Sequence, residues 1–522
     1  MARDFFQGRH AGVLVPLFSI PSRDSWGIGE IPDLVPLGRW MSAAGFDFVQ
    51  LLPLNEMAEG QNSPYSALSA MAIDPIFIAP ARVPELEGFG AESFLDPGQR
   101  LLLRMAREAS TIEYPTIRAL KGRAFKAAFD LFKTDEWRPQ TARAKRLQAF
   151  IDRERWWLDE YTLFRALHAA QRGRHWRDWS PTLRDREPDA LARTREELSD
   201  HILFFSYLQW LADEQWRAAR QECRVGVFGD FPFMVSGDSA DVWSRQHEFR
   251  LDARVGAPPD AFSETGQDWG FPAYRWTQVA DTDYEWLRAR ARRSADLYDG
   301  YRVDHLVGFF RTYAREADGT AGFAPAHEPE QIAQGERLLT VFASTGARVI
   351  AEDLGLIPDF VRHSTDRLGI PGFKVLRWER EWLREGHPFK DPQTYPSCSV
   401  ATSSTHDTET LAEWWETATD ADRLAAAEIP LLRTAGCDST NGFEDETRDA
   451  LLDLLFASSA DLLILPIQDI FGWRDRINIP ALISDRNWTW RLPWPVEDLS
   501  VEPGARERGA FTHALANRYD RT

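Results

Sequence analysis

Tyr301-Arg302-Val303-Asp304-His305 is the stretch on which the reading of this chain turns. In a strand, residues two apart share a face, so Arg302 and Asp304 point the same way. A guanidinium held beside a carboxylate keeps it ionised and fixes its lone pairs, as an attacking carboxylate requires. The same R-x-D-H pattern also serves as a structural ion pair at a strand end. Two further acidic stretches downstream, Ala351-Glu352-Asp353-Leu354-Gly355 and Thr405-His406-Asp407, turn the balance toward chemistry.

Around this stretch, apolar runs recur near residues 14, 50, 228, 302, 350, 375, 401 and 464, and helical patterns alternate with most of them. Runs this apolar suit a parallel sheet buried on both faces. The pattern predicts an α/β fold, a (β/α)8 TIM barrel spanning 1–522 with inserted, mostly helical subdomains and no C-terminal β-sandwich. The alternation breaks over about 80–221, read as a helical insertion, where Trp157, Tyr161, Phe164 and His168 form a stripe at helical spacing. In that stripe His168 reads as packed, not as a ligand. The stretch 256–276, rich in proline, glycine and hydrogen-bonding side chains, reads as a polar active-site loop suited to cover a polyhydroxy ligand.

Composition narrows the partners. The net charge of −19, from 61 basic and 80 acidic residues, argues against nucleic acid or an anionic membrane surface. Three scattered cysteines form no disulfide framework or zinc motif, so a cytoplasmic setting is expected. The run Gly12 to Ile20 reads as a buried first strand, because Asp4 and Pro16 spoil a signal peptide. Twenty-one tryptophans offer flat faces for sugar rings, although most are expected to pack the core.

In a barrel the C-terminal strand ends gather at one mouth, so Asp304, Glu352 and Asp407 would converge there. Three acids in one pocket must separate in pKa. Retaining glycoside chemistry uses such a set: one carboxylate attacks the anomeric carbon and a protonated acid serves the leaving oxygen. Clustered acids can instead hold Mg²⁺ or Mn²⁺ for phosphoryl transfer, but no Walker-type glycine loop accompanies them. A G-x-S-x-G elbow is also missing.

The motifs, taken in order, resemble the amylomaltase family, the 4-alpha-glucanotransferases or disproportionating enzymes of glycoside hydrolase family 77. They include Trp26-Gly27-Ile28-Gly29, Ser63-Pro64-Tyr65, Gly229-Asp230-Phe231-Pro232, Asp238 to Trp243, the Pro258 to Trp276 loop, and Arg302 to His305. They continue through Ala351 to Gly355, Pro371 to Leu376, Thr405-His406-Asp407 and Gln468-Asp469, so the likeness runs from about residue 11 to 494. The resemblance implies transfer of α-1,4-glucan segments between maltooligosaccharides or starch-type glucans, with a glucan or glucose as acceptor and no metal or organic cofactor. It assigns Asp304 as nucleophile, Glu352 as general acid/base and Asp407 as transition-state stabiliser. It also implies sugar-binding roles for Tyr65, Asp230, Asp260, Gln267, Trp269, Arg302, His305, Asp353, His406 and Asn478. Thr408 and Phe271 stand where the family usually has asparagine, and Phe471 to Pro480 is a loose version of its last motif. These departures bear on acceptor preference and product size. An α-amylase-like hydrolase and a non-catalytic glucan-binding protein are the alternatives, separable by what each does to maltotriose.

Overall fold

The computed structural model describes residues 5–521 except 6, 59, 260–265, 438–441, 481 and 483. Eight parallel strands close into a barrel: His10–Leu14, Phe48–Gln50, Gly226–Phe231, Gly300–Val303, Arg348–Ala351, Gly372–Val375, Ser399–Thr402 and Leu462–Pro466. Each strand pairs with its neighbours in chain order, and the last closes on the first with Gly12 opposite Ile464. All eight coincide with the apolar runs. Every residue of Phe48–Gln50, Gly226–Phe231, Gly300–Val303, Ser399–Thr402 and Leu462–Pro466 is buried, as a sheet covered on both faces requires.

Aromatic rings pack against the small residues of neighbouring barrel strands. Phe48 and Phe228 stack at 4.3 Å. Gly12 makes room for them, since a Cβ there would lie 2.4 Å from the Phe48 ring. After the last barrel strand, the described chain forms helices and loops only, ending in the helix Pro503–Arg518. Trp40 Nε1 donates to Ala505 O at 3.1 Å and ties that helix back to the first barrel helix, Leu34–Ala43. Among the described residues, no helix is long and apolar enough to cross a membrane.

Between the second and third barrel strands lie the long helices Tyr114–Phe132, Ala142–Ala170 and Ser199–Glu222. Trp157, Tyr161, Phe164 and His168 are all buried there, and His168 Nε2 meets Asp238 Oδ2 at 3.3 Å. These helices brace the loop that leads to Tyr65. Arg118 grips both oxygens of Asp74 (2.9 and 2.7 Å), while Tyr161 and Arg165 hold Glu56 at 2.6 and 3.1 Å. Paired charges of this kind fix geometry more than they add stability.

The stretch read as one polar loop is different in the structure. Phe249–Ala257 and Gln267–Tyr274 are antiparallel strands, and with Thr312–Glu316 and Ala321–Ala324 they form a separate four-stranded sheet. Prolines and glycines masked the strands. Pro272 sits where the pairing register shifts, a position that tolerates the missing N–H.

Candidate active site

Two acids leave neighbouring strand ends at the same level. Val303 is in register with Ala351, so Asp304 and Glu352 follow side by side. The backbone holds both, with Asp304 N–H donating to Phe231 O and Glu352 N–H to Val303 O, each at 3.0 Å. His305 then enters the left-handed region (φ 45°), which is uncommon for a side chain of its size. That turn aims its N–H at Glu352 Oε2 (2.8 Å), and Leu354 N–H donates to Oε1 at 3.2 Å.

Arg302 is the hub of the neighbouring network. Its Nη2 donates to Asp304 Oδ1 at 2.8 Å, Asp230 Oδ2 at 2.8 Å and Tyr65 Oη at 2.9 Å, and its Nε to Asp230 Oδ1 at 3.1 Å. Asp304 Oδ2 carries no such bond to the described residues. Tyr65 donates its hydroxyl proton to Asp230 at 2.6 Å, lies 3.1 Å from His406 Nε2, and stacks on the His406 ring at 5.6 Å.

Asp407 arrives from a third strand end, beyond Ser399–Thr402. His406 Nε2 lies 3.1 Å from its Oδ2, and Asn478 Nδ2 donates to its Oδ1 at 2.7 Å. The loop carrying it is pinned from behind by Asp469, which is fully buried. Asp469 accepts from Ser403 Oγ (2.6 Å), Ser404 Oγ (2.5 Å) and Leu411 N–H (2.7 Å). Gln468-Asp469 stood out as a motif, but the sequence carried no sign of this anchoring. Trp488, whose ring lies 5.8 Å from both Tyr65 and His406, was also missed.

The acids separate electrostatically. Burial pushes Glu352 up to about 7; Arg302 opposes this, and the nearby Asp304 and Asp353 charges reinforce it. Burial also acts on Asp407, but His406 and the hydrogen bonds from His406 and Asn478 outweigh it and hold the group at about 2. Burial lowers His305 to about 4, leaving a neutral ring at neutral pH.

The remaining candidates fall in different places. Trp269 sets its ring edge-on to His305 at 4.8 Å, and its Nε1 donates to Gln267 Oε1 at 2.9 Å. Both belong to the sheet above the mouth. Asp353 turns away from the mouth to accept from Phe373 N–H at 2.7 Å. Its carboxylate fills the space above Gly372, where a Cβ would come within 2.5 Å. Asp260 lies outside the described residues. Among those described, no group of three or more His, Cys, Asp or Glu is placed to hold a metal ion.

Comparison with known proteins bears directly on this arrangement. The family model described as 4-alpha-glucanotransferase matches residues 15–497. A 4-alpha-glucanotransferase of Thermus thermophilus is 34% identical, covering 96% of this chain and 97% of its own length. One from Chlamydia pneumoniae is 33% identical over 94% and 92% of the two chains. The solved amylomaltase of Streptococcus agalactiae, in complex with acarbose, superposes with a TM-score of 0.83 at 26% identity, covering 98% and 99%. With the match running almost end to end, over the strand tips that carry the three acids, the chain belongs to the 4-alpha-glucanotransferase family.

Proposed function

We propose that this chain is a retaining 4-alpha-glucanotransferase that moves α-1,4-glucan segments from a maltooligosaccharide donor to a glucan or glucose acceptor. The observation that carries the residue roles is the shared register of Val303 and Ala351, which sets Asp304 beside Glu352 while burial holds Glu352 at about 7. In the first step Asp304 Oδ2 bonds to the anomeric carbon as the glycosidic bond breaks, and Glu352 gives its proton to the departing oxygen. Arg302 keeps Oδ1 engaged and so presents the other oxygen.

In the second step the Glu352 carboxylate takes the proton of an acceptor 4-hydroxyl. That oxygen displaces Asp304 from the carbon, and the enzyme returns to its starting state. Asp407, ionised across the working range, stabilises positive charge on the sugar ring. Tyr65, His406 and Asn478 hold the donor sugar beside it, while the buried Asp230 positions Tyr65 and Arg302. Asp260, Gln267 and Trp269 take the acceptor side, with His305 beneath Trp269. Asp353, bonded to Phe373 N–H, positions the Glu352 turn and is not assigned to the sugar.

Transfer requires the acceptor to outcompete water, and the sheet-borne hairpin around Trp269 supplies cover over the mouth. Incubation with maltotriose is expected to yield glucose plus longer glucans at a constant number of reducing ends. A steadily rising number would identify a hydrolase, and unchanged maltotriose a binding protein.

A further inference from the structure

A second groove, of about 550 Å³, lies outside the catalytic mouth between Pro21–Gly27, Arg107–Ser110, Trp473, Asp475 and Trp490–Pro495. Three half-buried tryptophans line it. Trp473 lies 5.9 Å from Trp490 and 5.7 Å from Trp494, and its rear face stacks on Phe471 at 4.3 Å. Several of the chain's packed tryptophans spend their indole N–H groups inside the fold: Trp176 on Gly237 O, Trp216 on Leu297 O and Trp243 on Leu183 O. Trp473, Trp490 and Trp494 make no such bond to the described residues. Flat aromatic faces with free donors beside them suit a ring that is apolar on its faces and hydroxylated at its edge.

The charges select among ligands. Arg491 donates to Ala106 O and Arg107 O at 3.1 Å, Arg107 donates to Ser25 O and Glu92, and Arg23 is clamped on Asp498. The exposed carboxylates of Asp475 and Glu108 have no hydrogen-bond or ion-pair partner among the described residues. A groove with engaged arginines and free carboxylates disfavours anions and offers acceptors to hydroxyl groups. The chain links it to the catalytic centre. The segment that presents Asn478 and Trp488 to Asp407 and His406 runs on to present Trp490 and Trp494 to the groove.

We propose that this groove is a second saccharide-binding site, which holds a distant stretch of a long α-glucan while another stretch occupies the catalytic mouth. The inference rests on the glucanotransferase reading, but its test does not. The full-length Asp304→Ala protein, unable to consume glucan, is run on native gels containing glycogen, with maltotriose in excess to fill the mouth. Retarded migration is expected, and adding Trp473→Ala with Trp494→Ala should weaken retention about three- to tenfold. Asp475→Asn, which leaves the ring cluster intact, should weaken it about twofold. Retention unchanged in both variants, or absent in Asp304→Ala itself, overturns the site. On the otherwise wild-type chain, the tryptophan pair should raise the half-saturating amylose concentration with kcat and maltotriose turnover unchanged. Equal loss on both substrates would mark the rings as structural. If the unaltered protein does not disproportionate maltotriose, the functional reading fails on its own.

Discussion

Two strand ends of the same barrel, each carrying a partly buried acid, drive that acid in opposite directions. At the Arg348–Ala351 end, Glu352 is held by two backbone N–H groups, faces other carboxylates and rises to about 7. At the Ser399–Thr402 end, Asp407 is held by the His406 ring and the Asn478 amide and falls to about 2. Burial raises both; the kind of partner decides the result. The two ends also differ in how they are built. Strand register alone sets Asp304 beside Glu352, whereas Asp407 sits on a loop whose position depends on Asp469 and two serines.

The largest expected effect comes from Glu352 and the Asp304 that register sets beside it. Asp304→Ala should lower maltotriose disproportionation by about four orders of magnitude or more, measured by glucose release. The wild-type rate is expected to fall along an alkaline limb near pH 7, and Glu352→Gln should cost about 10²–10⁴-fold and remove that limb. A Gln variant that keeps this limb would assign the proton to another group.

The second end should yield to changes farther away. Asp469→Ala removes three buried hydrogen bonds and should lower kcat about tenfold or more while the Asp304–Glu352 pair stays in register. The comparison predicts a retained alkaline limb near pH 7 in that variant. Movement of the limb would show that the two ends are not independently held.

The smallest effect is in stability, and its sign separates the ends. The native pKa of Glu352 is raised, so the native state binds its proton more tightly. The stabilisation this gives is present below its ordinary range and lost as pH rises through about 7. Glu352→Gln should therefore raise the thermal midpoint by about 1–2 °C at pH 8 and leave it unchanged at pH 4. The native pKa of Asp407 is depressed, so its contribution is present above its ordinary range and lost as pH falls through about 2. Asp407→Asn should lower the midpoint at both pH 4 and pH 8.

The first end was readable because its information is local. An apolar run fixes each strand, and at two of them the next residue, Asp304 or Glu352, is the acid at the mouth. That is why all eight barrel strands, together with Asp304 and Glu352, stand where the pattern placed them. The network behind Asp407 could not be read, because Ser403, Ser404 and Asp469 meet only after the barrel closes. The place of the Asp353 side chain was not legible for a related reason. The residue lies past the end of the strand Arg348–Ala351, where the chain turns, and its carboxylate accepts from Phe373 N–H. In the four-stranded sheet, the alternation of Phe249, Leu251, Ala253 and Val255 was present, but turn-forming residues on either side outweighed it.

The central claim, that Asp304 bonds to the sugar while Glu352 moves the proton, is tested most directly by trapping the intermediate. Glu352→Gln lacks the base needed for the second step, so a maltosyl fluoride, whose leaving group needs no acid, should load it and stall. The account predicts a maltosyl adduct, found by peptide mass spectrometry, on the peptide containing Asp304. An adduct on a different carboxylate, or none while fluoride is steadily released, would contradict it.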